Sequence, residues 1–285
     1  MDTEFLRELD RFTLMVRKRV STTYTGARRS VKVGRGLNPV GYREYRKGDD
    51  FKFVDWKVYG RSEKLYVREH EEEKSLMLHL LLDASASMGY ADKFRYATML
   101  ATGFSYLAVK ENEKFSISKF AEMLEPRESM GGRRNLFHTI EDLDRTAPSG
   151  GTDIKRTSEQ FDQLIRSTSL VIVISDFLDD TESLVNSIYR LSLHDLILIQ
   201  VLDPIEADLG MEGDLRFIDM ESKDAVVTSI TPRMREVYLD RMESHNNRLM
   251  DVCNSVGADF FSFTTDTPIF EAFREVNSRA SVWRS

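Results

Sequence analysis

From residue 76 onwards, short apolar runs alternate with stretches whose apolar positions recur at helical spacing. Short apolar runs bounded by polar residues are typical of strands buried on both faces, and alternation with helices indicates a mainly parallel sheet. The sequence therefore predicts an α/β fold: a doubly wound, mostly parallel, Rossmann-like sheet with helices on both faces. The predicted strands are Leu76–Asp83, Phe115–Phe120, Leu170–Asp176, Leu196–Leu202 and Asp259–Thr264.

Six helices are predicted between and after these strands. The longest begins with Pro232 in its first turn, carries an apolar stripe through Leu249 and Val252, and ends before Gly257. A β-hairpin insertion near 214–230 interrupts the alternation, and we expect it at an edge of the sheet. The helices are Lys93–Lys110, Asn135–Leu143, Asp153–Ile165, Glu182–Leu191, Pro232–Val256 and Pro268–Ser278.

The first 75 residues follow a different pattern. They begin with apolar residues at helical spacing, which predict an amphipathic helix that docks on the domain or on a second copy of the chain in a homodimer. A Gly/Arg-rich segment comes next. We therefore predict an N-terminal extension at 1–75 and an α/β domain at 76–285. The apolar positions of the leading helix are Phe5, Leu9, Phe12, Val16 and Val20.

Composition and charge agree with this division. The chain has 285 residues, of which 41% are hydrophobic, enough for one substantial core with an accessory region. Residues 1–75 carry 18 Lys and Arg against 13 Asp and Glu, a net charge of +5. Residues 76–285 carry 22 against 34, a net charge of −12.

The sequence also predicts where the protein resides. No apolar stretch approaches the roughly 20 residues of a membrane span. The first residues lack the basic start and apolar core of a secretory signal, so we expect a cytoplasmic protein. Cys253 is the only cysteine, which excludes an internal disulfide, and its place on an apolar helical face predicts a packed thiol.

The candidate chemistry begins where the first predicted strand ends. Asp83, Ser85 and Ser87 occupy alternate positions directly after its apolar run. Open α/β sheets place their ligand sites at the carboxyl ends of the strands, and oxygen donors there could bind a hard cation. A structural alternative is that Ser87 or Asp92 caps the following helix.

Two further segments supply oxygen donors at predicted element ends. Thr152 lies in a glycine-rich turn before a helix, and Asp176 ends another apolar strand. With Asp83, Ser85 and Ser87, these residues resemble the metal-ion-dependent adhesion site of von Willebrand factor type A domains, whose pattern is Asp-x-Ser-x-Ser followed by a distant Thr and a distant Asp. The resemblance implies that the hydroxyls touch the ion and that the aspartates act through bound waters.

Such a site favours binding over hydrolysis. Mg²⁺ takes six oxygens in a near-octahedral array and releases its waters reluctantly. Three neutral hydroxyls with waters leave the ion electrophilic and one position exchangeable, so an Asp or Glu from a partner protein can complete the shell. Mg²⁺ is the predicted ion, with Mn²⁺ or Ca²⁺ as alternatives.

A second resemblance covers nearly the whole chain. Its motifs are Gly34-Arg35-Gly36, Arg43-Glu44-Tyr45, Gly48-Asp49-Asp50, Val54-Asp55-Trp56, Gly60-Arg61, Leu65-Tyr66-Val67, Glu71-Glu72-Glu73 and Leu82-Asp83-Ala84-Ser85-Ala86-Ser87-Met88. These motifs are similar to those of the prokaryotic domain-of-unknown-function 58 family, whose members resemble von Willebrand type A domains with an amino-terminal extension and are commonly linked with MoxR-type AAA+ ATPases. The resemblance implies a non-catalytic adaptor or partner of such an ATPase in protein assembly or remodelling.

Two other functions stay open as alternatives. A Mg²⁺-dependent phosphohydrolase could use Asp83 as nucleophile, but such enzymes usually carry a second acid where this chain has Ser85. Residues 26–68 hold 12 Lys and Arg against 5 Asp and Glu with interleaved aromatics, which suits single-stranded nucleic acid, although the whole chain is acidic with a pI of about 5.4.

For Gly48, Asp49, Asp50 and Trp56 we favour a bracing role, with Trp56 burying a large surface.

Overall fold

The computed structural model describes residue 9 and residues 33–46, 51, 54–71, 77–165, 167, 169–211, 213–218, 220 and 225–280. These residues fall into two compact units. One contains the described residues from 33 to 71, and the other contains Leu9 with the described residues from 77 to 280. Of the predicted leading helix, only Leu9 is described; it is helical and fully buried. The Gly48-Asp49-Asp50 turn lies outside the described residues.

The smaller unit is an antiparallel strand pair with a short helix. Strand β1 (Val33–Glu44) pairs with β2 (Tyr66–Glu71), and helix α1 (Trp56–Ser62) lies between them in the chain. The helix begins at Asp55, whose buried carboxylate accepts two backbone N–H groups of the first turn at 2.9 and 3.2 Å. Asp55 therefore fixes the start of this helix.

The prediction that Trp56 buries a large surface is wrong. Its side chain is 58% exposed, and its ring meets that of Tyr59 edge to face at 6.1 Å. The residues beside it, Val54 and Asp55, are the buried ones. In a helix, consecutive side chains point in different directions, so the capping Asp55 faces inwards and Trp56 faces solvent. The bracing role therefore belongs to Asp55, and exposed rings at Phe51, Trp56 and Tyr59 keep the nucleic-acid alternative open.

The larger unit is built on a six-stranded sheet in the order β10-β7-β6-β3-β4-β5. The first five of these strands run parallel, and β5 pairs antiparallel with β4. The predicted α/β, mostly parallel sheet is confirmed, and each of the five predicted strands is present with ends that agree to within one residue. The strands are β3 (Met77–Asp83), β4 (Lys114–Phe120), β5 (Leu124–Glu125), β6 (Leu170–Ser175), β7 (Asp195–Leu202) and β10 (Asp259–Thr264).

Helices cover both faces of this sheet. Helices α2, α3 and α8 pack on one side, and α4, α5 and α7 pack on the other. All six predicted helices are present, and one short helix, α6, was not predicted. Among the described residues, no helix is both long and apolar enough to cross a membrane. The helices are α2 (Lys93–Lys110), α3 (Arg133–Asp144), α4 (Ile154–Leu164), α5 (Thr181–Leu191), α6 (Pro204–Asp208), α7 (Pro232–Val256) and α8 (Ile269–Arg279).

The predicted hairpin forms, but its expected place at an edge of the sheet is wrong. Strands β8 (Gly213–Ile218) and β9 (Ala225–Ile230) make a two-stranded sheet of their own. A hydrogen bond from the Thr228 hydroxyl to the Met234 sulfur at 3.9 Å links the hairpin to α7. The hairpin is therefore attached through helix contacts.

The order of the strands determines where a ligand can bind. From β3 the chain crosses to β4 on one side and later returns to β6 on the other, so β3 is the strand at which the winding reverses. In doubly wound sheets a crevice opens at the carboxyl ends of the strands at this switch point. Asp83, the last residue of β3, lies at that position.

A buried histidine lies near the opposite end of β3. The His79 ring accepts or donates a hydrogen bond with the Ser116 hydroxyl at 2.8 Å and packs on Phe161. Burial, together with the nearby His194, lowers the pKa of His79 to about 4. The sequence prediction that His79 packs within its strand is confirmed.

We expect this histidine to weaken the fold in acid. Because the pKa is lower in the folded chain, the unfolded chain takes up the proton first, and stability is lost as pH falls from about 6.5 towards 4, by about 3 kcal/mol in total. The variant His79→Asn keeps a hydrogen-bonding group towards Ser116 without titrating and should lose less stability over this range. Urea unfolding between pH 7 and 4.5 measures the loss of stability. His138→Asn is the control, because the His138 side chain is exposed. Equal acid losses in wild type and His79→Asn would contradict it.

Candidate metal centre

The centre begins with the loop after β3. Asp83 is fully buried, and both of its carboxylate oxygens accept hydrogen bonds, one from the Ser85 backbone N–H at 2.9 Å and the other from the Ser175 hydroxyl at 2.5 Å. The Ser85 and Ser87 hydroxyls lie 3.1 Å apart. The Asp83 carboxylate thus folds the loop so that the two serine hydroxyls lie side by side.

The helix-capping alternative for these residues does not hold. Ser87 opens a single 3₁₀ turn, Ser87–Gly89, and is separated from α2. Asp92 precedes α2, but its side chain makes no capping hydrogen bond. The hydroxyls of Ser85 and Ser87 are therefore not used to begin the helix.

The loop that carries Thr152 is fixed against the Asp83 loop by two backbone hydrogen bonds. The Ser149 N–H donates to the Ala84 carbonyl at 2.8 Å, and the Ala86 N–H donates to the Gly150 carbonyl at 2.9 Å. Gly150 has a φ of 82°, a backbone conformation that favours glycine, so the glycine permits this turn. Thr152 follows two residues later, and its side chain is half-buried.

Asp176 lies at the end of the neighbouring strand β6. One carboxylate oxygen accepts from the Lys93 ammonium at 2.9 Å, and the other accepts from the Leu178 N–H at 3.3 Å. Its backbone carbonyl accepts from the Gln200 amide at 2.9 Å, and Gln200 in turn accepts from the Ser262 hydroxyl at 2.7 Å. Strands β7 and β10 therefore hold the Asp176 loop in place.

The two aspartates are close enough to affect each other. Burial, followed by the charge of Asp176, raises the pKa of Asp83 to about 7, although hydrogen bonds from Ser175 and Ser85 oppose the shift. Two carboxylates that share a buried site repel each other unless a proton or a cation lies between or beside them. At this site a proton on Asp83 or a positive charge relieves the repulsion, and the Lys93 ammonium beside Asp176 is one such charge.

The sequence did not predict three residues of this network, namely Lys93, Ser175 and Glu206. Lys93 is fully buried and donates to Glu206 at 2.7 Å as well as to Asp176. Burial alone would lower the pKa of Lys93, but the two carboxylates outweigh it and the pKa is raised. Glu206 belongs to α6, whose Asp203-Pro204-Ile205-Glu206 start is a capping box with proline in its first turn. That motif was the sequence signal for this helix.

The donor chemistry fits a hard cation. Hydroxyls and carboxylates are the oxygen ligands that Mg²⁺ and Ca²⁺ prefer. Within the described part of the chain, no group of three or more His, Cys, Asp or Glu is arranged to hold a metal ion. A metal site here would therefore depend on the hydroxyls, with the aspartates in support.

The sequence also matches a known protein family. The profile described as Protein of unknown function DUF58 matches residues 41–248, which is most of the chain. The protein belongs to the DUF58 family. The match spans the metal-centre residues from Asp83 to Asp176 and includes the part of the smaller unit from residue 41 onwards.

Individual relatives are distant. The chain is 23% identical to the uncharacterized protein Rv1480 of Mycobacterium tuberculosis over 273 residues, which are 93% of this chain and 86% of that protein. Similar solved structures include the conserved hypothetical protein BatB of Bacteroides thetaiotaomicron, 14% identical with a TM-score of 0.45 over 73% of this chain and 100% of that one. The SpRpn10 VWA domain is 10% identical, with a TM-score of 0.42 over 74% of this chain and 98% of that domain.

Proposed function

We propose that this DUF58 protein is a non-catalytic, Mg²⁺-dependent protein-binding module that acts as adaptor or partner of a MoxR-type AAA+ ATPase. The observation that supports it is the convergence of Asp83, Ser85, Ser87 and Asp176 at the switch point of the sheet. A binding role is supported by the two neutral serine hydroxyls, which lie 3.1 Å apart, and by the buried carboxylates of the same site.

The roles of the five residues follow from the donor chemistry and the family resemblance. The hydroxyls of Ser85, Ser87 and Thr152 would contact the ion directly. By the family resemblance, Asp83 and Asp176 would act through waters, and the hydrogen bonds that each carboxylate accepts hold it in position for this. When bound, the ion supplies an electrophilic centre for a carboxylate of a partner protein.

The burial and hydrogen bonding of Asp83 argue against the phosphohydrolase hypothesis. A nucleophilic carboxylate needs an accessible oxygen pointing at the phosphorus atom. Asp83 is fully buried, and the Ser85 N–H and the Ser175 hydroxyl occupy its two oxygens. Its position suits orientation of the loop better than attack on a substrate.

Ser87→Ala should weaken Mg²⁺ binding by about tenfold or more, because it removes one neutral oxygen ligand without adding charge. Titration calorimetry with MgCl₂ measures the affinity of the wild type and the variant. Ser192→Ala is the matched control, since the Ser192 hydroxyl donates a hydrogen bond to the Tyr189 carbonyl at 2.8 Å on the surface, away from the candidate centre. Equal affinities of Ser87→Ala and wild type would refute the proposed ligand set.

The partner is tested with the purified ATPase. Binding of a MoxR-type AAA+ ATPase to the immobilised chain should require Mg²⁺, disappear in EDTA and weaken in Ser87→Ala. Binding of the ATPase in EDTA would mean that the ATPase contacts a surface other than the metal centre. Steady Mg²⁺-dependent release of phosphate from an aryl phosphate would instead favour the enzyme.

A further inference from the structure

Lys93 is an unusual component of a cation site. It is a buried positive charge next to residues that are proposed to attract a positive ion. The ammonium lies 2.9 Å from Asp176 and 2.7 Å from Glu206, and its side chain is fully buried. A lysine is strongly hydrated in water, so burial of this kind persists only where partner carboxylates replace the water.

Neighbouring contacts hold the lysine and its partners in place. Lys93 is the first residue of α2, a helix of 18 residues with a well-buried face. Glu206 reaches back to the Asp203 N–H at 2.9 Å through its second oxygen, and its backbone carbonyl accepts from the Tyr238 hydroxyl at 2.5 Å. Three elements, α2, α6 and α7, therefore fix the Lys93 ammonium beside Asp176.

We propose that Lys93 is a positioning residue that moderates the metal affinity of the centre. This inference rests on the proposed metal site. The ammonium is hydrogen-bonded to one oxygen of Asp176 and therefore acts on the centre through that carboxylate. Its charge also offsets part of the negative charge around the site, so the metal is bound less tightly and a partner carboxylate is still attracted to it.

The charges give this proposal a definite sign. Asp176 and Glu206 supply two negative charges around the one positive charge of Lys93. Removing the lysine charge makes the surroundings more negative and should tighten cation binding. Removing the Glu206 charge makes them less negative and should weaken it. Removing both should leave the net charge, and therefore the affinity, close to that of the wild type.

The test is a double-mutant cycle on the full chain with MgCl₂ as the only probe. Lys93→Met should bind Mg²⁺ about tenfold more tightly, and Glu206→Gln about tenfold more weakly, since each variant removes one unit charge from the ion-pair cluster around Asp176. The double variant should return to within a few fold of wild type. Dissociation constants come from titration calorimetry at fixed pH and ionic strength. Glu275→Gln is the matched control, because Glu275 forms an exposed ion pair with Arg279 on α8.

A purely structural role of Lys93 makes a different prediction. It would lower the metal-free stability of Lys93→Met, because two carboxylates would lose their partner, but it would shift both single variants towards weaker Mg²⁺ binding or leave them unchanged. Either result would overturn the inference. If Lys93→Met does not fold without metal, Glu206→Gln is compared with Glu206→Asp, which disturbs the contact with Lys93 but keeps the charge. Weaker Mg²⁺ binding by Glu206→Gln than by Glu206→Asp supports the proposal, and equal affinities of the two variants refute it.

The outcomes also distinguish this inference from the function on which it rests. Absence of Mg²⁺ binding by the wild type would refute the proposed function itself. Wild-type binding that depends on Ser87 but shows no opposite shifts in the cycle would leave the binding module intact and remove only the role of Lys93.

Discussion

Gly103→Ala is expected to destabilise the α/β unit by about 3 kcal/mol, although alanine is a better helix former than glycine. A Cβ atom at Gly103 would lie 2.0 Å from the ring tip of Phe273 and within 2.8 Å of two further ring atoms. Phe273 is fully buried and packs on Phe104 with ring centroids 5.0 Å apart, so the ring has no free space to move into. Helix α8 would have to shift away from α2.

Chemical denaturation of the full chain measures the effect. Gly60→Ala is the matched control, because Gly60 also lies in a helix but an added Cβ there meets no atom within 4 Å; we expect a small gain in stability or no change. Phe273→Leu in the Gly103→Ala background should recover part of the loss, since a smaller side chain relieves the overlap. A stable Gly103→Ala with wild-type unfolding would show that the α2–α8 contact is loose.

Asp83→Asn should raise the stability of the metal-free protein and at the same time abolish its stabilisation by Mg²⁺. In the metal-free protein, the raised pKa of Asp83 means that the folded chain holds a proton that the unfolded chain releases, so stability is lost as pH rises from about 4 to about 7. An amide at this position carries no charge to bury. We expect the metal-free variant to be about 2 kcal/mol more stable than wild type at pH 8 and to gain nothing from added Mg²⁺.

Thermal and urea unfolding in EDTA and in millimolar MgCl₂, at pH 5 and pH 8, test both parts. Asp83 makes the free energy of unfolding fall as pH rises, whereas His79 makes it fall as pH drops. The pH series is therefore also run in the His79→Asn background, which removes the contribution of His79. Asp142→Asn, which alters an exposed partner of Arg127 at 2.6 Å, is the control. A variant that Mg²⁺ still stabilises as strongly as wild type would mean that Asp83 has no part in holding the ion.

The sheet could be predicted because its strands are buried on both faces, which leaves continuous apolar runs in the sequence such as Leu170–Ser175. Several elements were missed, and for three of them the physical reason is plain. Strand β5 has two residues and α6 has five, too few to establish a period, and β1 runs through a Gly- and Arg-rich segment without alternation.

The residues of the candidate site also fall into those that the sequence predicted and those that it did not. Asp83, Ser85 and Asp176 were predicted because they follow apolar strands, and parallel strands bring their carboxyl ends to one edge of the sheet. Lys93 and Glu206 gave no such signal, since their pairing depends on how α2 and α6 pack around Asp176. Side chains at strand ends follow from topology, whereas the charges that moderate them depend on tertiary packing.

The bond between Asp83 and Ser175 joins residues 92 positions apart in the chain. A ribosome must therefore deliver all of β6 before the loop after β3 can acquire this bond, and a nascent segment that ends before β6 lacks both Ser175 and Asp176. The loop is then completed late in synthesis, after β6 has paired with β3, and a chain that is cut before residue 175 cannot fix the Asp83 carboxylate in this way.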